Sequence, residues 1–388
     1  MRLIFLDWDS YGKEDLISGF EALGHEVVRI SLKMGDYMHD PEFARAFRET
    51  LSLHTCDAVF SSNYYPVVSG VCQSKKIRYI SWVYDSPLIT LYSRTAKNEC
   101  NSIFVFDRVL YEELKARGLR TVHYMPLGVN TDRLEKIEIT QTDRERYTAE
   151  VAFVGSLYDN KNNLYDRMVA KGLPEKTRGY LEGIMNAQLQ VQGSFFLEDL
   201  LTDEVLADMK RTMEYLPPRG VEVTDRYVYA NYFLGHKVTA MERRRLLTML
   251  SKHFPVTIYT TCDTTAIPDI SNQGPVDYMT QMPKVFRLSR INLNMTLRTI
   301  QSGIPLRGMD IMGAGGFLLS SCQADFFPDF IPGEHFDYYT DEKELLEKTE
   351  YYLSHEKERQ QIAENAAQKI KEDYRMELLL KKMLEISV

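Results

Sequence analysis

Short apolar runs alternate with helically spaced segments from the start of the chain. Residues 3–6 are apolar, Asp7-Trp8-Asp9-Ser10 break the run, residues 14–23 carry helical spacing up to Gly24, and residues 27–30 are apolar again. This predicts a βαβ opening. Further strands are expected at 57–61, 79–83 and 103–106, each closing on polar residues: Ser61-Ser62-Asn63, Tyr84-Asp85-Ser86-Pro87 and Asp107. Strands that alternate with helices predict a parallel sheet, and ligands of such sheets sit outside the carboxyl ends of the strands. Those polar tips are the first candidate positions.

The second half repeats the alternation with a long interruption. A strand at 151–154 runs into Gly155-Ser156 and the polar loop 158–163, after which residues 163–250 show helical spacing only. Strands return at 256–259 and 291–295. Residues 302–321 then read as a helix carrying Arg307 and Asp310 one turn apart, a turn at Gly313, Gly315 and Gly316, and a buried strand at 317–319. A short strand at 335–339, helices at 341–353 and 356–373, and an amphipathic piece at 376–386 complete the pattern.

At 388 residues the chain exceeds the roughly 250–300 at which single cores stop growing, so two domains are expected. The division reads as 1–134, a charged linker at 135–150, a second domain at 151–375 with its helical insertion at 163–250, and a terminal helix at 376–388 placed to cross back to the first domain. A net charge of −8 argues against nucleic acid as a partner. No run of about 18 apolar residues and no signal-peptide pattern occurs, so no transmembrane segment and a cytoplasmic location are expected. The five cysteines are scattered, with neither metal spacing nor a disulfide framework.

Several residues carry chemistry. Asp310 can accept hydrogen bonds from both hydroxyls of a ribose while Arg307 grips a diphosphate; a buried capping pair under a glycine turn is the alternative. Gly155 and Ser156 allow close approach of backbone to phosphate, and Asn294, Gly315 and Gly316 are further candidates for the same site. Asp85, at a strand tip before Pro87, suits a general base whose pKa is raised in a cleft, or a cap for the turn that follows. Asp7 and Asp9 bracket Trp8 and suit a metal pair, a phosphatase nucleophile and acid with Ser61 and Lys75 or Lys76 in support, or an acceptor-facing loop.

The order of residues 291–374, INLNMTLRTIQSGIPLRGMDIMGAGGFLLSS followed by PGEHFDYYTDEKELLEKTEYYLSHEKERQQIAENA, resembles the carboxyl-terminal half of CgeB-like, glycosyltransferase family 1-like bacterial proteins. The segment CDAVFSSNYYPVVSGVCQSKKIRYISWVYDSP is similar to the domain of formerly unknown function often fused ahead of such halves. The resemblance covers roughly two thirds of the chain. It implies an α/β GT-B-like fold with two Rossmann-like domains facing a cleft. It further implies a metal-independent glycosyltransferase with no cofactor beyond its donor substrate, a UDP-sugar, and with a carbohydrate, protein or other acceptor. Asp310 matches the position of the ribose-binding acid, usually glutamate. Ser302 stands where many retaining members carry a further glutamate, a departure from their pattern. A non-catalytic sugar-binding protein of the same fold is the other expectation.

Overall fold

The computed structural model describes every residue except Asp9, Tyr11, Asn160, Lys161 and Val388. The chain divides into two compact units, one made of Met1–Thr131, Pro217–Val223 and Glu372–Val388, the other of Asp132–Leu216 and Thr224–Lys371.

The first unit is built on a parallel six-stranded sheet: β1 (Arg2–Leu6), β2 (Glu26–Ile30), β3 (Ala58–Ser62), β4 (Arg78–Trp82), β5 (Asn101–Val105) and β6 (Val122–Tyr124). Their order is β2-β1-β3-β4-β5-β6, with Leu3 opposite Ala58 and Val27. Leu3, Ile4, Val59, Phe60, Ile80, Ile103 and Phe104 are buried, as strands covered on both faces require. The strand order reverses between β1 and β3, so the crevice where such sheets take ligands opens beyond Leu6 and Ser62. Asp107, one of the polar tips, caps the helix Arg108–Ala116 by accepting from the Leu110 amide at 3.2 Å.

The last helix, Met376–Ser387, belongs to this first unit and packs on the helix Lys13–Ala22. Its apolar face buries Met376, Leu379, Leu380, Met383 and Leu384. Gly19 makes that approach possible, because a Cβ there would stand 2.7 Å from Leu380 Cδ1. The entry is pinned by backbone bonds from the Val129 amide to the Tyr374 carbonyl at 3.0 Å and from the Met376 amide to the Val129 carbonyl at 2.8 Å.

The second unit holds β7 (Ala149–Val154), β8 (Val256–Tyr259), β9 (Ile270–Asn272), β10 (Ser289–Asn294), β11 (Leu318–Ser321) and β12 (Asp337–Tyr339), parallel and in the order β12-β11-β10-β7-β8-β9. Here the order reverses between β7 and β10, whose register places Val151 opposite Ile291. Helices between Leu164 and Ser251 form a second core around Met168, Leu181, Met185, Phe233 and Leu234. A widened π-helical turn, Tyr229–Gly235, leads into the long helix His236–Ser251.

Two boundaries differ from the sequence reading. Residues 135–150 are not a linker: Gln141–Tyr147 is a helix whose Thr140 and Asp143 form a reciprocal capping box, Lys284 pairs with Asp143 at 2.9 Å, and β7 starts at Ala149. The charge run that suggested a linker is the solvated face of that short helix. Residues 217–223, inside the expected insertion of the second domain, belong to the first unit, where Val221 bridges Ser93 and Glu222 pairs with Arg94 at 3.1 Å.

Candidate functional site

At the reversal point of the second sheet, β7 ends in Gly155 and Ser156 and β10 runs out into Met295 and Thr296. Arg243, on the helix His236–Ser251, spans the two. It donates to the Ser156 carbonyl at 2.5 Å and to the Met295 carbonyl, from Nε at 3.1 Å and also from Nη2. Its guanidinium lies 5.3 Å from the Phe153 ring and 4.9 Å from the Tyr158 ring. Among the described residues no carboxylate pairs with it, and burial pulls its pKa below the ordinary guanidinium value. The neighbouring Arg298 contrasts with it, being neutralised by Glu242 at 2.7 Å in a buried pair. A cation with no ion-pair partner among the described residues thus sits where a parallel sheet of this order receives an anion. Sequence reading missed Arg243.

The helix Leu306–Gly313 starts at the carboxyl edge of the sheet and runs away from it. Asp310 is 8% exposed, and its Oδ1 accepts from the Tyr278 hydroxyl at 3.1 Å. Arg307 is half-buried, stacked 5.8 Å over Phe286 and touching the Met282 sulfur. Both side chains therefore face the segment 278–286, where Tyr278 is a further residue the sequence did not single out. Gly155 bonds through its amide to the Tyr259 carbonyl at 3.2 Å, and exposed Ser156 holds the turn by accepting from the Tyr158 amide at 3.0 Å.

Three expected donor residues do other work. Asn294 is buried and donates to Thr296 at 3.0 Å and Ser320 at 2.9 Å, tying β10 to β11. Gly315 and Gly316 follow the end of the helix and lie at the amino edge of β11, opposite the edge where ligands bind. Gly315 has φ of 81°, which the turn requires. A Cβ on Gly316 would stand 2.6 Å from the Phe286 carbonyl oxygen and 2.8 Å from the Asn292 amide. Gly316→Ala is expected to cost about 1–3 kcal/mol in urea denaturation while leaving ligand binding by the folded protein unchanged. A selective loss of affinity would return Gly316 to the donor site.

In the first unit, Asp85 follows β4 at an exposed position. The residue is exposed, but the protein crowded around its carboxyl strips part of its hydration and raises its pKa, and the Asn63 amide, donating at 2.8 Å, opposes that rise without cancelling it. Asn63 sits in the left-handed region at φ 64° and its side-chain Oδ1 accepts the amides of Tyr84 at 2.9 Å and Asp85 at 3.1 Å. One side chain thus fixes the whole tip. The capping alternative is excluded, since Leu88 holds the N-cap position of the turn Ile89–Tyr92 and no side chain bonds there.

Asp7 is not built as a base or nucleophile. Burial pushes its carboxyl up, but Lys13 at 2.9 Å and Arg29 at 2.7 Å outweigh that and hold it below the ordinary carboxylate value. Its lone pairs are committed to two cations, one from the following helix and one from β2, which a linear reading does not bring together. Asp9, its partner in the metal-pair and phosphatase readings, lies outside the described residues.

Residues 242–385 match a family described as Glycosyl transferase-like. No curated protein matches the chain. Among solved structures, a glycosyltransferase from Rickettsia africae ESF-5 is similar at 11% identity and a TM-score of 0.54, over 100% of this chain and 97% of that one. Sucrose-phosphate synthase from Thermosynechococcus elongatus gives 10% and 0.55, over 100% and 98%. HepE of Anabaena in complex with UDP-glucose gives 10% and 0.55, over 99% and 98%. The fold is GT-B. Each Rossmann-like unit of this GT-B chain contributes its own reversal point, with Arg243 at one and the Asn63–Asp85 tip beside the other.

Proposed function

We propose that the chain is a CgeB-like bacterial glycosyltransferase that moves a hexosyl or related residue from a UDP-sugar to an acceptor hydroxyl in the cytoplasm, without a metal. Arg243 carries the reading. A buried guanidinium that bonds only to carbonyls, between the two strand ends where the sheet order reverses, suits the diphosphate of a nucleotide sugar and stabilises charge growing on the leaving group. Asp310 and Arg307 would hold the ribose and diphosphate, and the Gly155–Ser156 turn would bring backbone close to phosphate. HepE, of the same fold, forms a complex with UDP-glucose. Among the described residues no helix is long and apolar enough to cross a membrane.

In the transfer, the Asp85 carboxylate takes the acceptor proton and the acceptor oxygen bonds to the anomeric carbon. The bond from that carbon to the diphosphate oxygen breaks, its electron pair leaving on UDP.

Calorimetry with UDP and with uridine tests the donor assignment. Arg243→Met should weaken UDP at least tenfold, the loss of a charged hydrogen bond worth about 1.5–3 kcal/mol, and leave uridine affinity nearly unchanged. Asp310→Ala should weaken both ligands. Equal UDP affinity in Arg243→Met and the parent would remove Arg243 from the site, and turnover abolished by EDTA and restored by magnesium would end the metal-free mechanism.

A further inference from the structure

At the reversal point of the first sheet, three aromatic residues form a shelf that the transfer chemistry above does not use. Trp8 follows β1, Tyr65 follows β3, and Tyr37 comes from the loop after β2. The Tyr65 ring meets Trp8 edge-on at 4.5 Å and Tyr37 at 5.3 Å. Trp8 is fixed by its indole N–H, which donates to the Leu32 carbonyl at 2.8 Å, and by Phe43 at 6.0 Å. Tyr37 is 57% exposed, yet its loop is pinned. Asp36 accepts the Met38 amide at 2.8 Å, Asp40 accepts the Gly35 amide at 2.8 Å, and the Tyr37 carbonyl accepts the Val67 amide at 3.2 Å. An exposed ring on a pinned loop beside a half-buried indole presents a rigid apolar face with polar rims, the chemistry that packs against sugar rings.

The shelf is tied to Asp85 through Asn63, two residues before Tyr65, whose side-chain amide donates to that carboxylate at 2.8 Å. The Tyr65 phenol is pushed up to about 12 by burial, with the charges of Tyr37 and Asp85 adding to the rise. Of the cations at this edge, Lys13 and Arg29 are engaged by Asp7 and Glu14, and exposed Lys33 shares its loop with the exposed carboxylate of Asp36. Around the three rings the described residues offer a ligand aromatic faces, phenol hydroxyls, the Asn63 amide and the Asp85 carboxylate. That set suits a neutral polyol and disfavours an anion.

We infer that Trp8, Tyr37 and Tyr65 form the acceptor subsite and that the acceptor is a neutral saccharide, stacked on this shelf with a hydroxyl presented to Asp85. The assignment of the saccharide as acceptor rests on the glycosyltransferase reading; the binding of saccharide to the shelf does not.

The chain holds two tryptophans, and Trp82 is fully buried, so a ligand-induced change in tryptophan emission reports on Trp8. The full-length protein is titrated with maltotriose, cellotriose and triacetylchitotriose as neutral probes. Trigalacturonic acid is the anionic probe and 4-methylumbelliferone the planar phenolic one. At least one neutral trisaccharide should shift Trp8 emission saturably and protect it from acrylamide, with trigalacturonic acid at least tenfold weaker. Tyr37→Ala, a surface change, should weaken that trisaccharide at least tenfold while UDP affinity stays at the parent value. The inference is overturned by a flat response to all three neutral probes, by a response that Tyr37→Ala leaves intact, or by saturable binding of the phenol alone. If a trisaccharide binds as expected but neither UDP nor any UDP-sugar does, the shelf stands and the transferase reading falls.

Discussion

Deleting residues 374–388 is expected to unfold the first unit while the second keeps its structure. Five side chains leave the core with the helix Met376–Ser387, and each is at most 6% exposed. At about 1.5–3 kcal/mol apiece, an upper bound because unfolded chains already bury some surface, the loss reaches about 8–15 kcal/mol. That equals the whole stability of a typical domain. Hydrogen exchange on the truncated protein should show the amides of β1 to β6 unprotected and those of β7, β10 and β11 protected. Retained protection in β1 and β3 would show that the helix is an accessory cover.

Asp85→Asn should cut turnover by about 10²–10⁴, the usual contribution of a general base, with UDP affinity unchanged. The parent kcat/KM should rise with pH through a limb above the ordinary carboxylate value, because the folded protein raises the Asp85 pKa. The variant should lack that limb. Since the Asn63 amide lowers this pKa, Asn63→Ala should move the limb to still higher pH. The stability consequence has the opposite sign to the activity. A carboxyl whose folded pKa is raised contributes stability below its unfolded pKa and loses it as pH rises through the folded value. Asp85→Asn should therefore melt slightly higher than the parent at neutral pH. A variant that keeps parental turnover, or keeps the limb, would remove Asp85 from the chemistry.

Both sheets were legible because their strands are buried on both faces and read as apolar runs, such as residues 3–6 and 151–154. The edge strands β6 and β9 were not. Each has three residues, and the Ile-Ser-Asn of β9 is mostly exposed, so neither carries a period. The tips at Asp85 and Ser156 were legible from the polar closure of the strands, but the side chains that define them were not. Arg243 lies in the run Arg243-Arg244-Arg245, which reads as a solvated basic face. Its position was visible in one respect: Leu246, Leu247 and Leu250 follow it at i+3, i+4 and i+7, so it alone of the three falls on the apolar stripe. The ion pairs of Asp7 depend on the register of β2 beside β1. The glycines at 315 and 316 misled because a turn into a strand looks the same from sequence at either edge of a sheet.

The placement of the last helix also sets a timetable on the ribosome. The first sheet is complete once Tyr124 has emerged, but the helix that covers Lys13–Ala22 starts only at Met376. At roughly 5–20 residues per second, the intervening chain takes on the order of 12–50 s to make. For that interval the nascent first unit lacks the cover that Met376 and Leu380 give its first helix at Gly19, long enough for a chaperone to find the gap. The second unit ends at Lys371, so its whole chain is made before the tail emerges.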